Sequence, residues 1–245
     1  MRIRRHLLPT VRENNAKKGM GFVDVDERYE AMPKRLLRVT AHLISPVVLG
    51  NDGVIHLDAL IGTAIVTAHP CYLHYTNDSV VPMPLEILWQ DGNGYPLWAV
   101  TDLRVVGDRA EGREYWHKRY PVDKAQFAAK MNANTTAGRN REYRVPVPTV
   151  YCERMEAACI GNQEELERLL PYITHVGKKG SHGGVRVAKW TVEPMDDKQP
   201  EMLIANNRTI PLPYARDKGI IGIRGHKGWT VPYYYAPRFM ECISP

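Results

Sequence analysis

Gly177-Lys178-Lys179-Gly180-Ser181-His182-Gly183-Gly184 joins a stretch of helical spacing to a stretch of strand-like alternation. That order decides how the segment reads. A nucleotide-binding loop runs from strand to helix and seats phosphate at the positive helix N-terminus. This loop leaves a helix C-terminus, where the dipole repels anions. Its four glycines permit positive φ and close backbone approach, while Lys178, Lys179, Ser181 and His182 supply donors for phosphate oxygens. Any phosphate must then be held by a nest of backbone N–H groups and by the lysines themselves. An extended polyanion lying across the loop suits this better than a triphosphate. The plain alternative is a helix C-cap at Gly177 followed by a solvated turn.

Working outward, Val185-Arg-Val-Ala-Lys-Trp-Thr-Val192 reads as a strand ended by Glu193-Pro194. Before the loop, Asn162 is an N-cap with Glu165 three positions on, a capping-box arrangement. Leu166, Leu169, Leu170 and Ile173 form the buried stripe of that helix, and Pro171 predicts a distorted last turn. Tyr151 to Cys159 reads as a strand. Further back, Leu36 to Leu43 alternates: Leu37, Val39, Ala41 and Leu43 on one face, Arg38, Thr40 and His42 on the other. Leu57, Leu60, Ile61, Ala64, Ile65 and Ala68 recur at helical spacing, and Pro70 stops them. Leu85–Trp89 and Leu97–Val100, joined by Asp91-Gly92-Asn93-Gly94, predict a hairpin. The order strand, helix, strands, helix, strand is that of a split βαβ, ferredoxin-like unit in the α+β class.

Three regions fall outside that unit. Residues 1–35 are polar and irregular, with ten Lys/Arg in the first 38 positions, and read as a basic arm or a flexible tail. Residues 109–148 form a basic insertion. Within it, positions 113–144 carry Arg113, Lys118, Arg119, Lys124, Lys130, Arg139, Arg141 and Arg144 against Glu114, Asp123 and Glu142. A short helix is expected over Ala125–Met131 with a polar tip after it, and the charge favours a binding loop. Residues 195–245 give no regular pattern, but Arg216, Lys218, Arg224, His226 and Lys227 interleave with Trp229, Tyr233, Tyr234 and Tyr235. Cations can track a phosphate backbone while aromatic faces stack bases.

The totals exclude little and permit a nucleic-acid partner. In 245 residues, 33 Lys+Arg oppose 27 Asp+Glu for a net +6, with 44% hydrophobic residues. Cys71, Cys152, Cys159 and Cys242 form no C-x-x-C pair, so reduced buried thiols are expected and no metal or other cofactor. No run approaches the length of a membrane span or a secretory signal, which predicts a cytoplasmic protein without membrane contact.

Several strings in this order resemble the RAMP superfamily of CRISPR proteins, in particular the group-five subunit of type IV effector complexes. They are Thr40-Ala-His-Leu-Ile-Ser-Pro46, Ile55-His-Leu-Asp58, Ile173-Thr-His-Val-Gly-Lys-Lys-Gly-Ser-His-Gly-Gly184 and Trp190-Thr-Val-Glu-Pro194. The resemblance covers roughly residues 36–194, and departs at Gly183-Gly184, where the superfamily often has Gly-aromatic-Gly. It implies a ferredoxin-like (RRM-like) βαββαβ domain over 36–194, with a C-terminal extension over 195–245. It also implies a prokaryotic, non-catalytic subunit that caps a guide-RNA ribonucleoprotein and holds the RNA 5′ handle. On that reading Gly177, Lys178, Lys179, Gly180, Ser181, His182, Gly183 and Gly184 bind RNA, joined by Arg38, His42, Arg139, Arg141 and Arg144. Its partners are the guide RNA, the repeated backbone subunit, the large subunit and, indirectly, the target nucleic acid. The insertion becomes a thumb-like element against the RNA and the next subunit.

Two other readings stay open. A metal-independent guide-processing endoribonuclease needs a base for the ribose 2′-OH and a donor for the leaving oxygen, with His42, His56 and His182 as candidates. A protein-only scaffold needs just the basic surface. No acid pair, metal-ligand cluster or nucleophile elbow is visible, so other hydrolase classes have no support.

Overall fold

The alternation at Leu36–Leu43 is an interior strand of the main sheet. The computed structural model describes residues 29–48, 54–69, 80–118, 143–177 and 186–244. Strand β1 (Arg35–Leu43) lies between β6 (Tyr143–Gly161) and β7 (Val187–Pro194), antiparallel to both. With β2 (Ile55–His56) and β5 (Asp102–Lys118), the sheet order is β2-β5-β6-β1-β7, and every pair is antiparallel. The architecture is therefore mixed α and β, dominated by antiparallel sheet.

Leu37, Val39 and Ala41 on β1 and Met155, Ala157 and Cys159 on β6 face the helices and are buried. Against them pack α1 (Leu57–Ala68), through Ile61, Ala64 and Ile65, and α2 (Gln163–Leu169), through Leu166 and Leu169. The Asn162 side chain accepts from the Glu165 amide at 2.9 Å, as an N-cap should. Pro171 has no N–H to donate, and the helix tightens into a 3-10 turn over Leu170–Tyr172. Asp91 supports the β3 (Ile87–Gln90) to β4 (Pro96–Trp98) hairpin by accepting from the Asn93 and Tyr95 amides.

Four expectations shift. The strand expected over Tyr151–Cys159 is the end of a far longer one: β5 and β6 stay paired from Arg104↔Glu156 out to Lys118↔Tyr143. The described parts of the insertion, 109–118 and 143–148, thus form a ribbon continuous with the sheet, which carries one register shift between Val106 and Arg109. Its expected helix at 125–131, and Arg139 and Arg141, lie outside the described residues. The strand expected at 185–192 runs instead from Val187 through Pro194; proline is tolerated because β7 is an edge strand. Of the expected arm, residues 1–28 lie outside the described residues, but Tyr29 is buried and its hydroxyl donates to Glu165 at 2.9 Å.

The C-terminal residues build a second core. Helices α3 (Pro200–Ala205) and α4 (Leu212–Lys218) accompany a sheet of β8 (Ile210–Pro211), β10 (Phe239–Ser244) and β9 (Ile223–Gly228), in the order β8-β10-β9. Ile210, Leu212, Tyr214, Trp229 and Ile243 pack there against Tyr95 and Leu97 of the β3–β4 hairpin. Neighbouring Trp98 faces the first core, so the hairpin is shared. Among the described residues no helix is long and apolar enough to cross a membrane.

Candidate nucleic-acid interface

Residues directly opposite each other in an antiparallel pair share a face. The register therefore places Arg38, Thr40 and His42 on one surface with Arg154, Glu156 and Ala158 of β6 and Lys189, Thr191 and Glu193 of β7. This is the face away from α1 and α2. Glu156 holds two arginines apart, 3.7 Å from Arg38 and 3.2 Å from Arg154, and both remain about half exposed at 47% and 49%. His42 Nε2 lies 3.2 Å from the Thr191 hydroxyl.

The same face continues along the ribbon. Arg109 stands opposite Cys152, Glu111 opposite Val150, Arg113 opposite Pro148, Tyr115 opposite Pro146 and His117 opposite Arg144. The Arg144 guanidinium lies 3.8 Å over the exposed Tyr115 ring. A row of exposed cations thus runs from Lys189 across Arg38 and Arg154 to Arg109, Arg113 and Arg144. Its acids are Glu193, Glu156 and Glu111, so the row is positive on balance. Such a surface offers phosphate contacts spaced along strands and one aromatic face for a base. At the other end of the sheet, Arg104 bonds to the Asn207 side chain and carbonyl, and the C-terminal segment closes the face.

The glycine loop is anchored at the β1 end of this row. His175 and Arg186 form an antiparallel bridge across its two ends, Ile44 N donates to Arg186 O at 3.1 Å, and Arg186 N donates to Ser45 Oγ at 2.6 Å. Gly177 has φ of +82°, and a Cβ there would meet Val48 O at 2.6 Å, so glycine is required. Lys178, Lys179, Gly180, Ser181, His182, Gly183 and Gly184 lie outside the described residues.

A second polar cluster has the opposite character. Arg208 is 3% exposed and Asp58 1%. Arg208 donates through Nη1 to the carbonyls of Trp98 at 2.6 Å and Val100 at 3.1 Å. Its Nη2 reaches Trp229 O and the Tyr233 hydroxyl, both at 3.1 Å, with Asp58 Oδ2 at 3.5 Å. The Tyr233 hydroxyl donates to Asp58 at 2.7 Å. Burial alone would lower the Arg208 pKa; the Tyr233 oxygen and the Asp58 and Asp102 carboxylates outweigh it, and the pKa is raised. Burial also pushes the Tyr233 hydroxyl well above its usual value, with Asp58 adding to the effect. His56 stacks on Tyr233 at 3.7 Å and places Nδ1 2.7 Å from Asp102 Oδ1.

This cluster revises the reading of the last fifty residues. Trp229 is buried and Tyr233 is held by Asp58, so neither is a platform for bases; Tyr234 stays exposed. Nor do His42 and His56 come together. They stand on β1 and β2, three strand spacings or roughly 14 Å apart across the sheet and displaced along it as well. Among the described residues no group of three or more His, Cys, Asp or Glu is placed to hold a metal ion.

Sequence reading missed Arg154, Lys189, Arg109 and Tyr115 as members of the open face. The period-2 parity that assigned Arg38 and His42 would have found Arg154 once β6 was paired with β1. Nothing local signals Arg208.

Residues 99–245 match the family model of the CRISPR type IV associated protein Csf3. The chain belongs to this family. The match takes in β5, β6, α2, β7 and all the C-terminal elements of the second core, including Asp102, Arg208 and Tyr233. The family pattern therefore extends past residue 194, where the resemblance read from local strings stops. No curated protein matches the chain.

Proposed function

We propose that this Csf3-family chain is a non-catalytic, guide-RNA-binding subunit of a type IV CRISPR ribonucleoprotein in the prokaryotic cytoplasm, seated on the RNA 5′ handle and touching the repeated backbone and large subunits. The observation that carries the reading is the exposed row of cations on the open sheet face, with the glycine loop anchored at its end. A fixed single-stranded handle is held by shape, phosphate contacts and stacking rather than by a catalytic pocket. The strand order β5-β6-β1-β7, with α1 and α2 against one face, is the order a ferredoxin-like RAMP unit requires and supports that reading of the fold.

The test is the salt dependence of RNA binding by the assembled complex. If four to six phosphates are neutralised, log K falls with log salt at a slope of about −3 to −4. The triple variant Arg38→Gln/Arg154→Gln/Lys189→Gln should flatten that slope by about 2 if each cation meets a phosphate of single-stranded RNA. An unchanged slope removes the open face from the account. Lys178→Ala/Lys179→Ala should weaken handle binding with the fold intact; unchanged affinity removes the loop. Specific cleavage of repeat RNA in EDTA, lost in His42→Ala or His182→Ala, would instead establish the endoribonuclease.

A further inference from the structure

The small C-terminal sheet leaves one edge open. Strand β9 pairs with β10 and, among the described residues, with no other strand. Two β-branched apolar side chains flank this edge in water: Ile221 is 94% exposed and Ile223 75%. Edge strands are ordinarily guarded by proline, a bulge or an outward lysine. Here the register runs unbroken from Ile223↔Ser244 to Gly228↔Phe239, and the strand holds no proline. Its lysine is turned back: Lys227 Nζ donates to Ser244 Oγ at 2.8 Å, and its stem crosses 3.6 Å from the position of a Gly225 Cβ. At Gly222 a Cβ would overlap the Ser244 carbonyl, so only glycine lets the chain enter the ladder flat.

A flat, unbroken edge of this kind offers alternating backbone donors and acceptors. A second polypeptide matches both at the strand's own spacing; an RNA backbone can answer the N–H groups with phosphate oxygens and a carbonyl with a ribose 2′-hydroxyl, but not in that strict alternation. The isoleucines give aliphatic contact and no face for stacking a base. Exposed Arg224 on the strand gives the edge a positive charge.

We propose that β9 is a docking edge that takes an extended segment of another polypeptide of the type IV assembly as an added strand. Its aliphatic side chains would lie against Ile221 and Ile223, and its carboxylates against Arg224. This inference goes beyond RNA binding and stands if that reading fails.

Amide hydrogen exchange of the full chain, alone and in the assembly purified through a tag on this chain, tests it. The outward-facing amides among residues 223–228 should slow at least tenfold in the assembly and stay slow after ribonuclease treatment, on the order expected when an edge gains a strand. Crosslinks from this edge should map to a segment of alternating acidic and aliphatic residues in a neighbouring subunit. Ile221→Lys/Ile223→Lys alters only solvated side chains; it should keep the isolated chain folded and its RNA bound, yet abolish those crosslinks. Arg224→Glu should weaken them. Protection lost with ribonuclease assigns the edge to RNA and overturns the proposal. Protection in the isolated chain also overturns it, in favour of a second copy if it grows with concentration and of a segment of this chain if it does not. Unchanged exchange, or crosslinks that survive the double lysine variant, leaves no docking edge.

Discussion

Arg208 and Arg154 carry the same guanidinium in opposite circumstances. Arg208 is sealed between two cores, with carbonyl acceptors from two chain segments and Asp58 from a third beside it. Arg154 stands half in water, and its ion-pair partner among the described residues is Glu156 on its own strand. A buried charge has lost its hydration and depends on every partner it keeps. An exposed pair gains little from its partner, because water and salt compete for both ions. The first arrangement is a means of joining two parts of a chain. The second leaves a cation free to exchange its partner for a phosphate.

The largest effect that breaks this contrast should come from Arg208→Ala. It strands the Asp58 carboxylate in the interior, and a loss of about 3–5 kcal/mol is expected in urea unfolding. Tyr233→Phe keeps the ring on His56 but removes the hydroxyl that donates to Asp58; about 1–3 kcal/mol should follow. The same two substitutions should leave the salt slope of RNA binding unchanged wherever the variants still fold. On the open face, Arg38→Gln/Arg154→Gln/Lys189→Gln should move stability by no more than about 0.5 kcal/mol per site while flattening that slope. A stability loss as large as that of Arg208→Ala would mean the face is structural.

The last effect is a pH dependence, at a buried group with no ionic partner among the described residues. Burial pushes the Cys159 thiol up to about 12 from a starting value of 9.0. Between those two values the native state keeps a proton that the unfolded chain releases, so stability is whole below pH 9 and falls as pH climbs towards 12. Comparing Cys159→Ala with the parent at pH 8.5 and 10.5 should show a flatter fall in the variant. Parallel curves would contradict the burial argument.

What could be read from sequence was local. The extent of α1, the Asn162 cap and the 3-10 turn at Pro171 follow from residues within one or two turns of each other. The polar face of β1 followed from alternation alone. The ribbon did not, because its alternating charges look like a solvated loop until each strand is set against the other. The Arg208 cluster was out of reach for a plainer reason. Its partners Trp98 and Asp58 lie 110 and 150 residues away, and no periodicity relates positions that distant.

Arg208 has one more consequence. Its carbonyl partners belong to the β3–β4 hairpin and to the stretch before β10, so neither core can loosen without leaving dry acceptors in the other. Two modules fastened in this way should melt in a single transition, with calorimetric and van't Hoff enthalpies in agreement. Evolution of one half of the molecule is then tethered to the other, and the C-terminal module is no removable accessory.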